Sequence, residues 1–329
     1  MNGKLTASSD KYVCQTRRTA LANIAKLSAV AGGLRWQLGT VAAQPAETFQ
    51  FRFLLAGCMY GYTRLETILA EVPKTGAVAV DLWPKPHGDQ CEQLADMGEA
   101  RFAALIKQHQ VTLGCVTRYD LGPFQLHDEF ARCQRLGCQQ IVTGAKGPKG
   151  LQGNELKTAV ARFAEQLKPH LEVAAQHNVT LAIENHANSL IESVDSIRYL
   201  AEFADDLPLR VALAPYHLPQ DSKLLGSLLR DIGNKVAVFY AWQHGLGCMQ
   251  KLPKAEELLQ MPGRGTLDFQ PLVAALRDIQ YTGWTEIFMH PVPRGIPILD
   301  STAEVTDEIN RAKLYLLDCV TRVSNETHS

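Results

Sequence analysis

Residues 179–189 read Val-Thr-Leu-Ala-Ile-Glu-Asn-His-Ala-Asn-Ser. The first five, Val179 to Ile183, are mostly apolar, the pattern of a strand covered on both faces in a parallel sheet. The run stops abruptly at Glu184, Asn185 and His186. A carboxylate and an imidazole at the C-terminal end of such a strand stand where α/β barrels keep their chemistry. Alone, this could be a strand that simply stops, with its carboxylate capping or solvated. The other apolar runs of the chain also end in polar or aromatic clusters, and that favours a site.

Outward from this strand, one unit recurs about eight times: a strand, then a helix. Residues 51–56 form a strand broken by Gly57 and Gly61, and Thr63 is placed to cap a helix carrying Leu65, Ile68 and Leu69. Residues 77–83 are the second strand, after which Pro84 and Pro86 force a loop before a helix over about 92–110. The third strand, 111–116, ends in Thr117-Arg118-Tyr119-Asp120, and its helix closes at Gly137. The fourth, 139–143, runs into a loop, 144–150, that bears glycines and lysines without P-loop spacing. Lys146 there could still touch an anionic substrate. A helix over 155–177 lines up Leu156, Val160, Phe163, Leu167 and Leu171 on one stripe, with Pro169 placed to bend it.

Downstream, strand six (209–214) ends in Pro215-Tyr216-His217, strand seven (236–242) in Gln243-His244-Gly245, and strand eight (284–290) in His290 itself. Eight alternations over about 270 residues predict a single-domain (β/α)8 TIM barrel spanning 50–322. A doubly wound open sheet is disfavoured, because no glycine-rich dinucleotide turn follows the first strand.

Residues 1–43 read as a cleavable leader. Thr16-Arg17-Arg18-Thr19-Ala20-Leu21 has the general form of a twin-arginine export signal, a weakly apolar stretch follows, and Val41-Ala42-Ala43 offers a small-residue cleavage site. Ala20, where a large apolar residue is usual, and Lys26 depart from the pattern; a plain N-terminal extension is the alternative. The expected location is therefore exported, periplasmic, or cytoplasmic if the segment is no signal. Losing the leader removes six basic residues and one acid, shifting the formal charge from −1 to −6. That balance argues against a nucleic-acid partner. No uncharged apolar run reaches the roughly 18 residues of a spanning helix. Of eight cysteines, Cys14 falls in the leader, and the rest form no CxxC pair, which reads as buried free thiols. Export of folded chains by a twin-arginine route is compatible with free thiols.

Two segments resemble a known family. Ile183-Glu184-Asn185-His186, and residues 262–269 (Pro-Gly-Arg-Gly-Thr-Leu-Asp-Phe) running into 281–287 (Tyr-Thr-Gly-Trp-Thr-Glu-Ile), resemble the xylose isomerase-like superfamily of sugar isomerases, epimerases and inosose dehydratases. The resemblance spans roughly 50–320 and implies a barrel binding one divalent metal. Its expected ligands are a Glu ending strand five, an Asp ending strand six, a His ending strand seven and a Glu ending strand eight. Glu184 matches the first. The strand-six motif retains His217 but has Ala214 for the Asp; strand seven offers Tyr240 or Trp242, with His244 just beyond; and Phe288 stands where the last Glu belongs, between Glu286 and His290. One of four ligands survives, so the usual metal set is not expected.

Three readings follow. In the first, Glu184, His217, His244 and His290, with His186 at the same rim, form a relocated site for a single Mn, Zn or Fe ion. In the second, no metal is needed: Glu184 or a histidine is the base, and Arg294 or Lys146 steadies an oxyanion. In the third, chemistry is lost and Trp83, Tyr119, Tyr216 and Trp242 are stacking platforms for a carbohydrate. The proline-rich run 290–297 would hold His290 and Arg294 rigidly over the mouth. The leading expectation is a sugar isomerase or epimerase, with a lyase or dehydratase on a keto-sugar and a non-catalytic binding barrel as alternatives. Its candidate catalytic residues are Glu184, His217 and His290, and its substrate contacts His186, Arg294, Trp242, Tyr216 and Lys146. The partner is a small carbohydrate, and a homo-oligomer is possible.

Overall fold

The strand that carries Glu184 is β5, Thr180–Glu184, and it lies between β4 (Gln140–Gly144) and β6 (Leu209–Leu213). It hydrogen-bonds in parallel to both, with Gly144 and Ala212 abreast of Glu184. The structure is a computed structural model and describes residues 49–326 other than 205–206 and 247–249. The expected leader and Cys248 lie outside the described residues.

All eight strands pair in sequence order and close into a parallel barrel. The others are β1 (Arg52–Ala56), β2 (Ala79–Leu82), β3 (Thr112–Thr117), β7 (Val236–Ala241) and β8 (Trp284–Ile287). Closure is made by β1 on β8, with Leu54 abreast of Glu286. The helices α1 (Leu65–Glu71), α2 (Gln90–Met97), α3 (Glu99–Gln108), α4 (His127–Leu136), α5 (Gly153–Gln176), α6 (Val194–Phe203), α7 (Ser222–Ile232), α8 (Lys254–Glu257), α9 (Gln270–Asp278) and α10 (Thr302–Glu326) complete the βα units. The (β/α)8 expectation holds. Among the described residues, no helix is long and apolar enough to cross a membrane.

Several local expectations shift. The single helix expected over 92–110 is two, α2 and α3, because Gly98 takes φ +80, a conformation closed to the helix interior. Thr63 does not cap α1; the Leu65 amide instead donates to Gln93 Oε1 at 2.6 Å. Pro169 sits inside a continuous α5. β8 ends at Ile287, three residues early, because the backbone of His290 bonds to the Gln260 side chain. Register breaks occur between Val80 and Asp81 and between Val211 and Ala212, irregularities that tend to gather beside functional sites. The cysteines among the described residues are buried free thiols.

Candidate active site at the barrel mouth

Glu184 closes β5 with its side chain inside, and Asn185 ties that strand end to the next. The Ala214 amide donates to Asn185 Oδ1 at 2.8 Å, and Asn185 Nδ2 donates to the Ala214 carbonyl at 3.0 Å. Pro215-Tyr216-His217 then turns as one 3₁₀ step, which brings His217 Nε2 to 3.9 Å from Glu184 Oε1. The His186 ring packs 4.0 Å from the His217 ring, centroid to centroid. His186 Nδ1 lies 2.7 Å from the Ala187 carbonyl, which can only accept, so Nδ1 carries the hydrogen there.

The electrostatics disfavour the charged form of both Glu184 and His217. Burial, then the nearby Asp81, push the Glu184 carboxyl well above the carboxylate range. Burial, then His186 and His244, push His217 down to about 2. Although the two atoms are within ion-pair distance, burial opposes charge on both groups, and 3.9 Å is too long for a hydrogen bond. Glu184 Oε2 and His217 Nε2 are both buried without a partner. The arrangement is a protonated acid beside an unprotonated base.

Beneath Glu184 lie two carboxyls absent from the sequence-based site. Asp81 in β2 and Glu286 in β8 are fully buried inside the barrel. Asp81 Oδ2 accepts the Thr117 hydroxyl at 2.7 Å, and burial lifts the group to about 7. Burial, then Asp81 and Glu184, raise Glu286 as well. The Trp83 indole nitrogen favours the ionised forms of both yet makes no hydrogen bond with either. The available signal was one acid inside each strand, among apolar residues in β2 and beside Thr285 in β8.

Aromatic rings floor the mouth. Tyr216 stacks on Trp242 at 4.0 Å and 11°, and Trp83 on Phe288 at 5.1 Å and 23°. His290 meets Trp83, Trp242 and Phe288 edge-on. Gln260 fixes two of these parts: its Oε1 accepts from Trp242 Nε1 at 3.0 Å, and its Nε2 donates to the His290 carbonyl at 3.0 Å. The Tyr216 hydroxyl donates to the Gly245 carbonyl at 2.8 Å. Trp83 and Trp242 are 1% exposed, so they shape the floor and offer no open platform to a sugar.

His87, which sequence reading missed, packs 4.5 Å from His290, and burial pushes it down to about 4. Arg294 donates to the Pro291 carbonyl at 2.7 Å, and its charge disfavours protonation of His87, His186 and His290. His244 is exposed against Tyr216, its ring 5.0 Å away. Lys146 is exposed and lies beside Gly122. A hollow of about 390 Å³ opens at the opposite end of the barrel. Its two guanidiniums, on Arg52 and Arg210, already donate to backbone carbonyls, and that face of a barrel reads as structural.

The donor set for the family's metal does not fit these residues. Ala214 and Phe288 present hydrocarbon at two of the four positions, and burial holds the Tyr240 phenol protonated. Among the described residues, no group of three or more His, Cys, Asp or Glu side chains is disposed to hold a metal ion. Of the relocated set, Glu184 and His217 are brought together, while His290 pairs with His87 and His244 with Tyr216.

The model of the xylose isomerase-like TIM barrel family matches residues 69–309, and the chain belongs to that family. Similar solved structures include the IolI protein with a binding zinc atom, 15% identical over 83% of this chain and 99% of its own, at a TM-score of 0.61. A D-psicose 3-epimerase with D-tagatose from Clostridium cellulolyticum H10 is 17% identical over 83% of this chain and 99% of its own, at 0.59. A probable 3-DHS dehydratase from Bacillus anthracis is 12% identical over 80% of this chain and 99% of its own, at 0.60. At such identities the likeness concerns the fold. Comparison with curated proteins finds no match.

Proposed function

We propose that the protein is an enzyme that moves a proton on the carbon next to a carbonyl of a sugar or sugar derivative, as an isomerase or epimerase. The observation that carries this reading is the buried Glu184–His217 pair, an acid and a base each with an unpartnered atom at the C-terminal rim. His217 Nε2 takes the proton from carbon. The Glu184 carboxyl donates to the carbonyl oxygen as charge develops, giving an enediol. The imidazolium then protonates carbon while the Glu184 carboxylate takes back a proton from an enediol hydroxyl. In an isomerisation the neighbouring carbon is protonated and the other hydroxyl gives up its proton. In an epimerisation the enediol turns over first, so that the same carbon is protonated on its opposite face and the original oxygen gives up its proton. The reading assigns no step to a metal, because Ala214 and Phe288 supply no ligand where the family's set would need them. A pure binding barrel is less well supported, since three of the four candidate stacking rings, Trp83, Tyr216 and Trp242, are buried against other rings, while Tyr119 is half-buried.

The test is exchange of substrate C–H for deuterium in D2O, followed by NMR across ketoses, aldoses, uronates and keto-sugars. Exchange should survive chelator treatment and fall about 10²–10⁴-fold in Glu184→Gln and in His217→Gln. Exchange that needs added manganese, zinc or iron would overturn the metal-independent form. Sugar binding with no exchange of any substrate would overturn the enzyme reading.

A further inference from the structure

We propose that His127 and His170 form a two-imidazole chelate for a transition-metal dication of the nickel, copper or zinc kind, which clips α4 to α5. The site belongs to the outer helix layer and is independent of the reaction proposed at the mouth. His127 is the first residue of α4, and His170 lies in the second half of α5. Their facing nitrogens, His127 Nε2 and His170 Nδ1, stand 3.2 Å apart, with ring centroids 5.1 Å apart and planes at 49°. Imidazole is a ligand that these ions favour.

The helices set this spacing, and it does not depend on two chance rotamers. A second contact repeats the same pairing two turns further along both helices: Gln134 Oε1 lies 2.8 Å from His177 Nδ1. In both pairs the partners are 43 residues apart in the chain, so α4 and α5 run side by side in the same direction. Buried Phe130 and Cys133 anchor α4, and buried Phe163, Leu167 and Leu171 anchor α5. Phe124, just before α4, packs on the His170 ring at 5.4 Å and edge-on to Phe163 at 6.0 Å. His170 is thus half-buried with its ring held, while His127 is exposed and leaves the pair open to solvent.

Two nitrogens each about 2.0–2.1 Å from one ion stand about 2.9 Å apart at right angles and about 3.3 Å apart at the tetrahedral angle. The observed 3.2 Å lies between these. Without an ion, one ring donates its N–H to the other. An ion takes both lone pairs instead, and the shared hydrogen passes by way of solvent to the far nitrogen of its own ring. Among the described residues no third metal-ligating side chain joins the pair, so water completes the coordination. Magnesium and calcium prefer oxygen ligands and gain little here. An ion that binds the folded pair better than the unfolded chain stabilises the barrel.

The experiment is calorimetric titration of the full chain with nickel chloride, and with magnesium chloride as control, on the parent and on His127→Gln and His170→Gln variants. His127 is exposed, so its replacement leaves the fold intact. The parent should bind nickel at least about tenfold more tightly than either variant, because two tethered ligands act on one ion. Magnesium should show no such difference. Saturating nickel should raise Tm by about 2–4 °C in the parent and not in the variants. With copper below one equivalent, electron paramagnetic resonance should show coupling to two imidazole nitrogens in the parent and to fewer in each variant. Equal nickel affinity in parent and variants overturns the proposal. So does a loss in one variant alone, which would mean that a single histidine binds. Nickel binding that leaves Tm unchanged overturns the clip, since the folded pair would then hold the ion no better than the unfolded chain.

Discussion

At the scale of single residues, burying three carboxyls and four imidazoles together disfavours the charged form of each. Asp81 shows the consequence for stability. Its value in the folded protein is about 7 against an ordinary 3.8. A group raised by folding stabilises the fold below its ordinary value and loses that contribution as pH climbs through the folded value. His217 runs the other way: pushed from 6.5 to about 2, it removes stability as pH falls below its ordinary range. Comparing Asp81→Asn with the parent at each pH cancels the histidine part. The variant should gain on the parent between about pH 4 and pH 7, by several kcal/mol in all. Urea denaturation at several pH values reads this difference, and a flat difference would show that Asp81 ionises normally. Glu184 and His217 were legible because they end apolar runs. Asp81 and Glu286 were not, since an apolar run covered on both faces does not reveal which face turns into the barrel.

At the scale of elements, the mouth depends on how the segment after β1 holds the segment after β8. The Tyr62 amide donates to the Gly295 carbonyl at 3.0 Å, and the Ile298 amide to the Met59 carbonyl at 3.0 Å. Between them, Gly61 has φ +57, and a Cβ there would stand 2.6 Å from the Gly295 oxygen and 2.7 Å from Ile296 Cα. Those are backbone atoms, so they yield only if the whole segment moves. Gly61→Ala should cost about 1–3 kcal/mol of stability by overpacking and positive-φ strain. By displacing the loop that carries Arg294, it should also raise KM more than it lowers kcat. Unchanged denaturation and kinetics would show that this loop does not depend on its neighbour. The proline density of 290–297 announced a stiff loop; the strand-end glycine that seats it is visible only where the two segments meet.

At the scale of the whole molecule, closure of the sheet turns eight separate strand ends into one site. Location belongs to this scale too, and we propose that residues 1–43 export the chain through a twin-arginine route. In a bacterial host with that translocase, Arg17→Lys with Arg18→Lys should leave full-length precursor inside the cell. Equal cleavage and export of parent and variant would remove the signal reading. The order of elements, the barrel class, and Glu184 and His217 as candidates were determined by sequence alone, because periodicity and the residues that end each run are local properties. Tertiary structure alone decided that Phe288 packs on Trp83, that His87 joins His290, and that Asp81 and Glu286 share an interior with Glu184. These groups come from distant strands and connections, and only barrel closure sets the distances and burial that govern their protonation.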